Sequence, residues 1–213
     1  MNELLISTPT HGRVLLRAAD SPAALLIGFH GYMENSDIQM ERLAAVAGAE
    51  RWTLVSVQAL NRFYKGGQLQ EVVAGWMTRQ DRDAAIADNI AYIDRVVETV
   101  APSDVPIVFA GFSQGVAMAF RAATRGVRKG AAVIAVGGDV PPELLADSAV
   151  TFPPVLLARG ERDEWFTAAK HGADVAALNS RGVEVEGLVY DGGHEWTEEV
   201  SRAAARFTSA RCR

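Results

Sequence analysis

The sequence predicts an α/β fold with a mostly parallel central sheet and helices on both of its faces. Short, continuous apolar runs alternate along the chain with longer segments of helical periodicity, which is the pattern of a parallel sheet. The apolar runs lack the alternation of half-exposed strands, as expected where both faces of the sheet are covered. The chain has 213 residues, of which 49% are hydrophobic and 22% charged. This is enough for a large core, and we expect residues 1–213 to form a single domain.

The N-terminal part of the chain predicts four strands. Residues 4–7 and 14–17 are expected to pair as an antiparallel hairpin around a turn at residues 9–12. The continuous apolar run at residues 23–29 predicts a strand buried on both faces. A second run, at residues 52–57, predicts the next strand of the sheet.

The sequence also predicts two helices and a long irregular connection in the first half of the chain. Apolar residues at helical spacing predict a helix over residues 38–47, with Asp37 as its N-cap. Residues 58–80 are predicted to be irregular, and loops of this length in compact domains are usually functional. Asp81 then begins a long amphipathic helix whose apolar positions share one face.

The C-terminal part of the chain continues the alternation of strands and helices. Strands are predicted at residues 131–136, 155–159 and 183–190. Helices are predicted at residues 166–179 and 195–210. Strands separated by helices favour parallel pairing, since a parallel neighbour needs a crossover connection.

The most informative motif lies between the two halves. Residues 106–115 read PIVFAGFSQG, an apolar strand that runs into Gly-x-Ser-x-Gly with Ser113 at its centre. Gly111 and Gly115 permit a turn too tight for side chains, and a helical segment over residues 114–124 follows. Strand, strained turn and helix make a nucleophile elbow, which holds a serine hydroxyl above the sheet. This arrangement predicts acyl transfer through a serine ester.

A serine nucleophile needs a base and an acid, and after an elbow they come in the chain order Ser, Asp or Glu, His. His194 stands directly after the last predicted strand, and of the four histidines it alone meets this order in a loop. Asp163 follows the preceding strand and is the favoured acid, with Asp139 as the alternative. Loops at the carboxyl ends of parallel strands meet at one edge of the sheet, so we expect these side chains to converge on Ser113.

Two backbone N–H groups are also needed to stabilise an oxyanion. Gln114, the residue after the serine, is predicted to supply one of them. The other is expected from the loop after the strand at residues 23–29, where either Tyr32 or Met33 is placed to donate. His30 in that loop is interpreted as a structural residue rather than as a second base.

Composition excludes several classes of protein. A net charge of −5 and the lack of a basic stripe argue against nucleic-acid binding. No apolar run reaches the roughly 20 residues of a membrane span, and the N-terminus lacks a signal peptide, so we expect a cytoplasmic protein. Cys212, the single cysteine, is expected in an exposed tail and rules out an internal disulfide. No Cys/His cluster has metal-ligand spacing, so neither a metal nor another cofactor is expected.

With these motifs the chain resembles the serine α/β-hydrolases, and among them the phospholipase/carboxylesterase group that includes acyl-protein thioesterase-like enzymes. The matching pieces are HGY at 30–32, GFSQG at 111–115, GERDEWF at 160–166 and GGHEW at 192–196, and with the alternating elements they cover nearly the full length. The resemblance implies an α/β-hydrolase fold and a triad of Ser113, Asp163 and His194. It also implies that the N–H groups of Tyr32 and Gln114 form the oxyanion hole.

The chain departs from this family at two places that bear on the substrate. The loop after His30-Gly31 reads YMENSDI where many relatives carry a glycine-rich HGLGD-like sequence, and the acid motif reads GERDEW rather than G-x-x-D-x-x-V-P. Because the chain is too short for a large cap domain over the site, we expect a carboxylesterase for small soluble esters, with an acyl-thioesterase, lysophospholipase-like or dienelactone-hydrolase-like enzyme as alternatives. A ligand-binding protein without turnover on the same fold is the alternative of another class. The oligomeric state stays open, with a homodimer as one alternative.

Aromatic and apolar residues near the predicted site are candidates for its pocket. They are Met33, Phe63, Trp76, Trp165 and Trp196. Core packing is an equally good interpretation of each tryptophan taken alone. The segment at residues 138–152 is too short for a cap domain, so only a small covering element is expected over the site.

Overall fold

The computed structural model describes residues 1–66, 71–101 and 104–212, and nine strands and six α-helices are present in these ranges. The strands are β1 (Val14–Arg17), β2 (Leu25–Phe29), β3 (Thr53–Val57), β4 (Asn61–Tyr64), β5 (Val72–Gly75), β6 (Ile107–Phe112), β7 (Ala132–Val136), β8 (Val155–Gly160) and β9 (Val185–Tyr190). The helices are α1 (Ser36–Ala44), α2 (Arg82–Val100), α3 (Gln114–Arg125), α4 (Pro142–Ala146), α5 (Ala168–Ser180) and α6 (Glu198–Arg211).

Seven of these strands form one sheet in the order β1-β3-β2-β6-β7-β8-β9. β1 pairs with β3 antiparallel, and every other neighbouring pair is parallel. β2, β3, β6, β7 and β8 are buried along their whole length. The predicted mostly parallel sheet is therefore confirmed, and its central strands are largely apolar because both faces are covered.

Two apolar cores lie on the opposite faces of this sheet. Because successive side chains of a strand point to opposite faces, Leu25 and Ile27 of β2 lie in one core and Leu26 lies in the other. The first core also contains residues of α2, α3 and α5, and the second contains residues of α1 and α6. Helices thus cover both faces, as the sequence predicts.

The predicted hairpin at the N-terminus is wrong. β1 pairs instead with β3, with Val14 opposite Val57. Residues 4–7 form no strand, and Leu5 is 67% exposed. The edge of β3 offers β1 a ladder next to the core, whereas a hairpin with residues 4–7 would bury little apolar surface.

The predicted cap of α1 is also wrong. The side chain of Asn35, rather than that of Asp37, accepts hydrogen bonds from the N–H groups of Asp37 and Ile38, both at 3.1 Å. Asn35 has the extended backbone of an N-cap, so α1 begins at Ser36. Asp37 lies in the first turn of the helix and forms an ion pair with Arg13 at 2.7 Å.

The segment at residues 58–80 is more regular than predicted. β4 and β5 pair antiparallel within it as a separate two-stranded sheet, and residues 67–70 lie outside the described residues. A bridge between Glu34 and Ala74 ties this small sheet to the loop after β2. Its strands have only four residues each and β4 is mostly exposed, so they carry little apolar periodicity.

The structure agrees with the expected covering element but not with the expected position of Cys212. The covering element between β7 and β8 is α4, a helix of five residues, as expected for a minimal cap. Cys212 does not lie in an exposed tail: it is 6% exposed and packs in the second core, where burial raises the pKa of its thiol. Among the described residues, no helix is long and apolar enough to cross a membrane.

Candidate active site

Ser113 occupies a strained turn between β6 and α3. Its φ of 52° lies in the region that favours glycine, and its N–H donates to the carbonyl oxygen of Val136 at 2.9 Å. The surrounding strand and helix are buried and hold this conformation in place. The turn therefore presents the serine side chain at the carboxyl edge of the sheet.

Gly115 permits the first turn of α3 to lie directly against the end of β2. A Cβ atom at this position would lie 2.1 Å from the carbonyl oxygen of Phe29, which is backbone and has no room to give. We expect Gly115→Ala to lower the free energy of unfolding by about 3 kcal/mol, as overpacking does in rigid cores. Urea unfolding followed by circular dichroism measures this change.

Gly172 in α5 is the matched control for that substitution. A Cβ atom there would meet nothing within 4 Å, so Gly172→Ala is expected to stabilise the protein by roughly 0.5 to 1 kcal/mol through helix propensity. Similar unfolding midpoints for the two variants would contradict the close approach of α3 to β2.

A continuous hydrogen-bonded chain links Ser113, His194 and Asp163. The Oγ atom of Ser113 lies 2.9 Å from Nε2 of His194, and Nδ1 of His194 lies 2.9 Å from Oδ2 of Asp163. The three residues come from three loops, after β6, β9 and β8. In this order of contacts, the histidine can accept the serine proton while the carboxylate stabilises the resulting imidazolium.

Asp163 is held rigidly by its own loop. Its Oδ1 atom accepts hydrogen bonds from the N–H groups of Trp165 and Phe166, each at 2.9 Å, and its side chain is fully buried. Asp139, the alternative acid, instead pairs with Lys170 at 3.3 Å. The structure thus brings Asp163, and not Asp139, to His194.

The loop after β2 is held by an ion pair that the sequence does not reveal. Glu34 pairs through both carboxylate oxygens with Arg42, at 2.6 and 2.7 Å, and accepts the N–H of Gly31 at 2.7 Å. Burial alone would raise the pKa of Glu34, but Arg42 and the Gly31 N–H lower it below its usual value. This carboxylate is therefore charged and ties the loop to α1.

Arg42 also connects that loop to the ring of His194. Its guanidinium lies over the ring of Phe112, 4.1 Å from the centroid. The Phe112 ring in turn packs against His194, with their centroids 5.0 Å apart. The imidazole is thus packed on one side by an aromatic ring that is itself in contact with a partly buried cation.

The two candidates for the second oxyanion donor differ in what their N–H groups do. The N–H of Met33 donates to the carbonyl oxygen of Ala74 at 3.1 Å, so it is already engaged. Within the described ranges, the N–H groups of Tyr32 and of Gln114 have no acceptor. The side chain of Gln114 bonds to the backbone of Trp76 and Met77, which fixes the start of α3 against β5.

His30 is a buried structural residue. Its Nε2 atom accepts the N–H of Ala59 at 3.1 Å, so Nδ1 carries the proton and donates to the carbonyl oxygen of Gly31 at 2.6 Å. Burial lowers the pKa of His30, which keeps the ring neutral. Both ring nitrogens are occupied, and the residue shapes the loop after β2.

A cavity of about 370 Å³ lies beside Ser113 and His194. Charged side chains on its wall are Arg82, Arg121, Asp139 and Lys170. Apolar side chains on its wall are Met77, Ala117, Val140, Pro141, Pro142, Trp165 and Phe166. Its volume suits a small organic molecule. Within the described part of the chain, no cluster of His, Cys, Asp or Glu side chains is able to hold a metal ion.

Only one of the five pocket residues expected from the sequence lines this cavity. Trp165 lies on its wall and is 76% exposed. Trp76 is fully buried and donates its indole N–H to the carbonyl oxygen of His30, and Trp196 donates to Ser201 beside the second core. Met33 and Phe63 are outside the cavity lining, and the Phe63 ring packs against that of Tyr32 with their centroids 5.7 Å apart.

Asp174 of α5 supports the cavity wall and gives it a pH dependence. Its carboxylate accepts the N–H of Val140 at 2.9 Å. Burial, with repulsion from Asp139, raises the pKa of Asp174 to about 6. Because the folded pKa exceeds the usual value, this carboxyl contributes stability below about pH 4 that is lost as the pH rises through 6.

We therefore expect Asp174→Asn to raise the free energy of unfolding, relative to the wild type, by about 1 to 2 kcal/mol more at pH 7.5 than at pH 4. This difference is smaller than a fully buried group would give, because water screens the half-buried carboxylate. Urea titrations of both proteins at the two pH values measure the difference. Asp88→Asn on the exposed face of α2 is the matched control for the loss of one charge. An equal response of the two variants would contradict the role of Asp174.

Comparison with known proteins agrees with this geometry. A family model described as phospholipase/carboxylesterase matches residues 12–211. No curated protein sequence matches the chain. Esterase PE8 is similar in structure with a TM-score of 0.78 and 19% identity, over 95% of this chain and 100% of that one.

Two further solved structures are similar to the chain over most of its length. Acyl-protein thioesterase 2 from Zea mays has a TM-score of 0.74 and 17% identity, over 95% of this chain and 100% of that one. The carboxylesterase of Bacillus cereus has a TM-score of 0.72 and 16% identity, over 94% of each chain. At these identities the likeness shows a shared fold.

Proposed function

This chain belongs to the phospholipase/carboxylesterase family, and from that premise we propose that it hydrolyses small carboxylic esters through an acyl intermediate on Ser113. The observation that carries the proposal is the hydrogen-bonded chain from Asp163 through His194 to Ser113, at the wall of a cavity. A serine, a base and an orienting acid in this geometry are what nucleophilic catalysis of acyl transfer needs.

The reaction proceeds in two halves. His194 takes the proton of Ser113 as its oxygen attacks the ester carbonyl carbon, and then gives that proton to the leaving alcohol as the C–O bond breaks. Water, deprotonated by His194 in the same way, then releases the acid from the acyl-serine. Asp163 stabilises the imidazolium in both halves.

The N–H groups of Tyr32 and Gln114 are proposed to bind the oxyanion. Both lie at the carboxyl edge of the sheet and have no acceptor among the described residues, whereas the N–H of Met33 is engaged. Each such donor contributes roughly 3 to 4 kcal/mol to transition-state stabilisation. The pair of Glu34 and Arg42 supports this role because it fixes the loop that carries Tyr32.

Small esters are the proposed substrates, in preference to bulk lipid. The cavity has about 370 Å³, and α4 with its five residues is the covering element beside it. Thioesters react by the same steps, and the likeness to a protein named acyl-protein thioesterase 2 makes them the second candidate class. Residues 1–213 are proposed to act as one domain, since the main sheet extends from β1 to β9.

Covalent labelling tests the proposal. The protein is incubated with a fluorophosphonate, digested and analysed by mass spectrometry, and hydrolysis of p-nitrophenyl butyrate is followed in parallel. The adduct is expected on Ser113, with loss of activity in proportion to labelling. Ser180→Ala, which removes an exposed hydroxyl on α5, is the matched control and should label like the wild type. The absence of both the adduct and ester turnover would favour the alternative, a ligand-binding protein without catalysis.

A further inference from the structure

One wall of the cavity is a single face of α3. Ser113 lies at the start of this helix, Ala117 and Arg121 follow at intervals of four residues, and all three line the cavity. Residues four apart share a helix face, and eight residues span about 12 Å along the axis. Helical side chains lean toward the N-terminus, so the Arg121 guanidinium extends back toward Ser113. The small side chain of Ala117 leaves the space between them open.

Arg121 is a buried guanidinium with hydrogen-bonding capacity to spare. Its side chain is 1% exposed, and its Nε and Nη2 atoms donate to Oε1 of Glu143 at 2.8 and 2.6 Å. Among the described residues, its Nη1 atom meets only the thioether sulfur of Met77, at 3.8 Å. A thioether is a weak acceptor, so this end of the guanidinium is available to an oxygen that enters the cavity.

The positive charge at this end of the cavity exceeds the negative charge. Arg82 also lines the cavity and donates to Oε2 of Glu143 at 3.2 Å, so two guanidinium groups share one carboxylate. The other charged pair on the wall, Lys170 with Asp139, is balanced. The neighbouring Arg125 is balanced by Asp147 at 3.7 Å. Among the described residues, the guanidinium groups of Arg82 and Arg121 therefore have the Glu143 carboxylate as their common counter-charge at this end of the cavity.

A structural role accounts for only one of the two arginines. The pair of Arg121 and Glu143 joins α3 to α4, and the buried guanidinium of Arg121 needs one such carboxylate partner. Arg82 lies at the start of α2, and its side chain is 42% exposed. Two guanidinium groups beside one cavity are a suitable receptor for a second carboxylate, since arginine binds carboxylates through several N–H groups at once.

From this arrangement we propose that the protein prefers short esters whose acyl group carries a second carboxylate, bound by Arg82 and Arg121 while the scissile carbonyl lies at Ser113. The inference rests on the proposed hydrolase function and adds the substrate class. Allowing for the arginine side chain, roughly half of the 12 Å separation is left for the substrate. This length fits monoesters of four- and five-carbon dicarboxylic acids.

A matched pair of ethyl esters tests the proposal. Monoethyl succinate and ethyl pentanoate have acyl groups of similar length, and only the first carries a carboxylate. Hydrolysis of both is followed by pH-stat titration, which detects acid release without a chromogenic leaving group. We expect the wild type to show a kcat/KM for monoethyl succinate at least tenfold above that for ethyl pentanoate.

Two arginine variants locate the source of this preference. Arg82→Gln is expected to lower the ratio of the two kcat/KM values at least fivefold, mainly through a higher KM for monoethyl succinate. Arg125→Gln removes the same charge one turn beyond Arg121, on the same helix but outside the cavity lining, and should leave the ratio within twofold of the wild type.

The outcomes separate this proposal from the function on which it rests. Turnover of both esters with a ratio near one would overturn the dicarboxylate preference and leave the hydrolase function intact. Equal losses in the Arg82 and Arg125 variants would also overturn it, because they would indicate the general field of the protein rather than a binding site. Turnover of neither ester, together with no fluorophosphonate adduct, would contradict both proposals.

Discussion

Replacing Ser113 with alanine is expected to lower kcat for p-nitrophenyl butyrate by about a millionfold, because the nucleophile is lost and only substrate binding and oxyanion stabilisation remain. The fold should be kept. The Oγ atom of Ser113 bonds to His194, which is itself partly exposed, so the change leaves no deeply buried group without a partner. Stopped-flow and long-term endpoint assays, with circular dichroism as the check on folding, measure the loss.

The double variant Ser113→Ala/His194→Ala tests whether the two residues act as a unit. If His194 serves only to activate Ser113, removing both is expected to cost no more than removing Ser113 alone. Losses that multiply would show that the histidine acts independently of the serine. Retention of more than about one per cent of the activity in Ser113→Ala would contradict the acyl-serine intermediate.

The central strands are predictable from sequence because their physical environment leaves a simple pattern. β2 and β7 are covered on both faces, so each carries an unbroken apolar run that the sequence displays directly. The same holds for β6, whose run ends at the glycine-flanked Ser113. Parallel strands place their following loops at one edge, and the loops after β6, β8 and β9 bring Ser113, Asp163 and His194 within hydrogen-bond distance there.

Elements stabilised by tertiary contacts are not predictable in this way. The hairpin of β4 and β5 is short and largely exposed on one strand, and its bridge from Ala74 to Glu34 is a contact between distant segments. The choice of Asn35 over Asp37 as the cap of α1 likewise depends on Arg13, which pairs with Asp37 from 24 residues away. Both residues have the chemistry of a cap, and the fold decides between them.

The wall of the site is the part that the sequence predicts least well. Trp76 lies in the long segment at residues 58–80 that is expected to be functional, but its indole is fully buried against Phe29 and His30. Apolar pockets and apolar cores use the same residue types, so composition does not separate them. Conversely, Arg82 and Arg121 lie on helices among many other charged residues, and only the packing of α2 against α3 brings them to one cavity.

Replacing Asp163 with asparagine is expected to lower kcat by roughly 10³- to 10⁴-fold, through the tautomer of His194 rather than through a loss of structure. In the wild type, Oδ1 accepts two backbone N–H groups, from Trp165 and Phe166. These two donors would hold the amide oxygen of the asparagine in the same place. The amide NH₂ group must then face Nδ1 of His194.

Facing an NH₂ donor, Nδ1 of His194 has to accept a hydrogen bond, so the ring proton moves to Nε2. That atom lies 2.9 Å from Ser113 and would donate to the hydroxyl instead of accepting its proton, which removes the general base. Nitrogen-15 chemical shifts of the imidazole, which report the protonated ring nitrogen, should show this exchange of tautomers alongside the loss of kcat. Asp139→Asn is the matched control and should lower kcat less than tenfold. A larger loss in that variant than in Asp163→Asn would identify Asp139 as the acid.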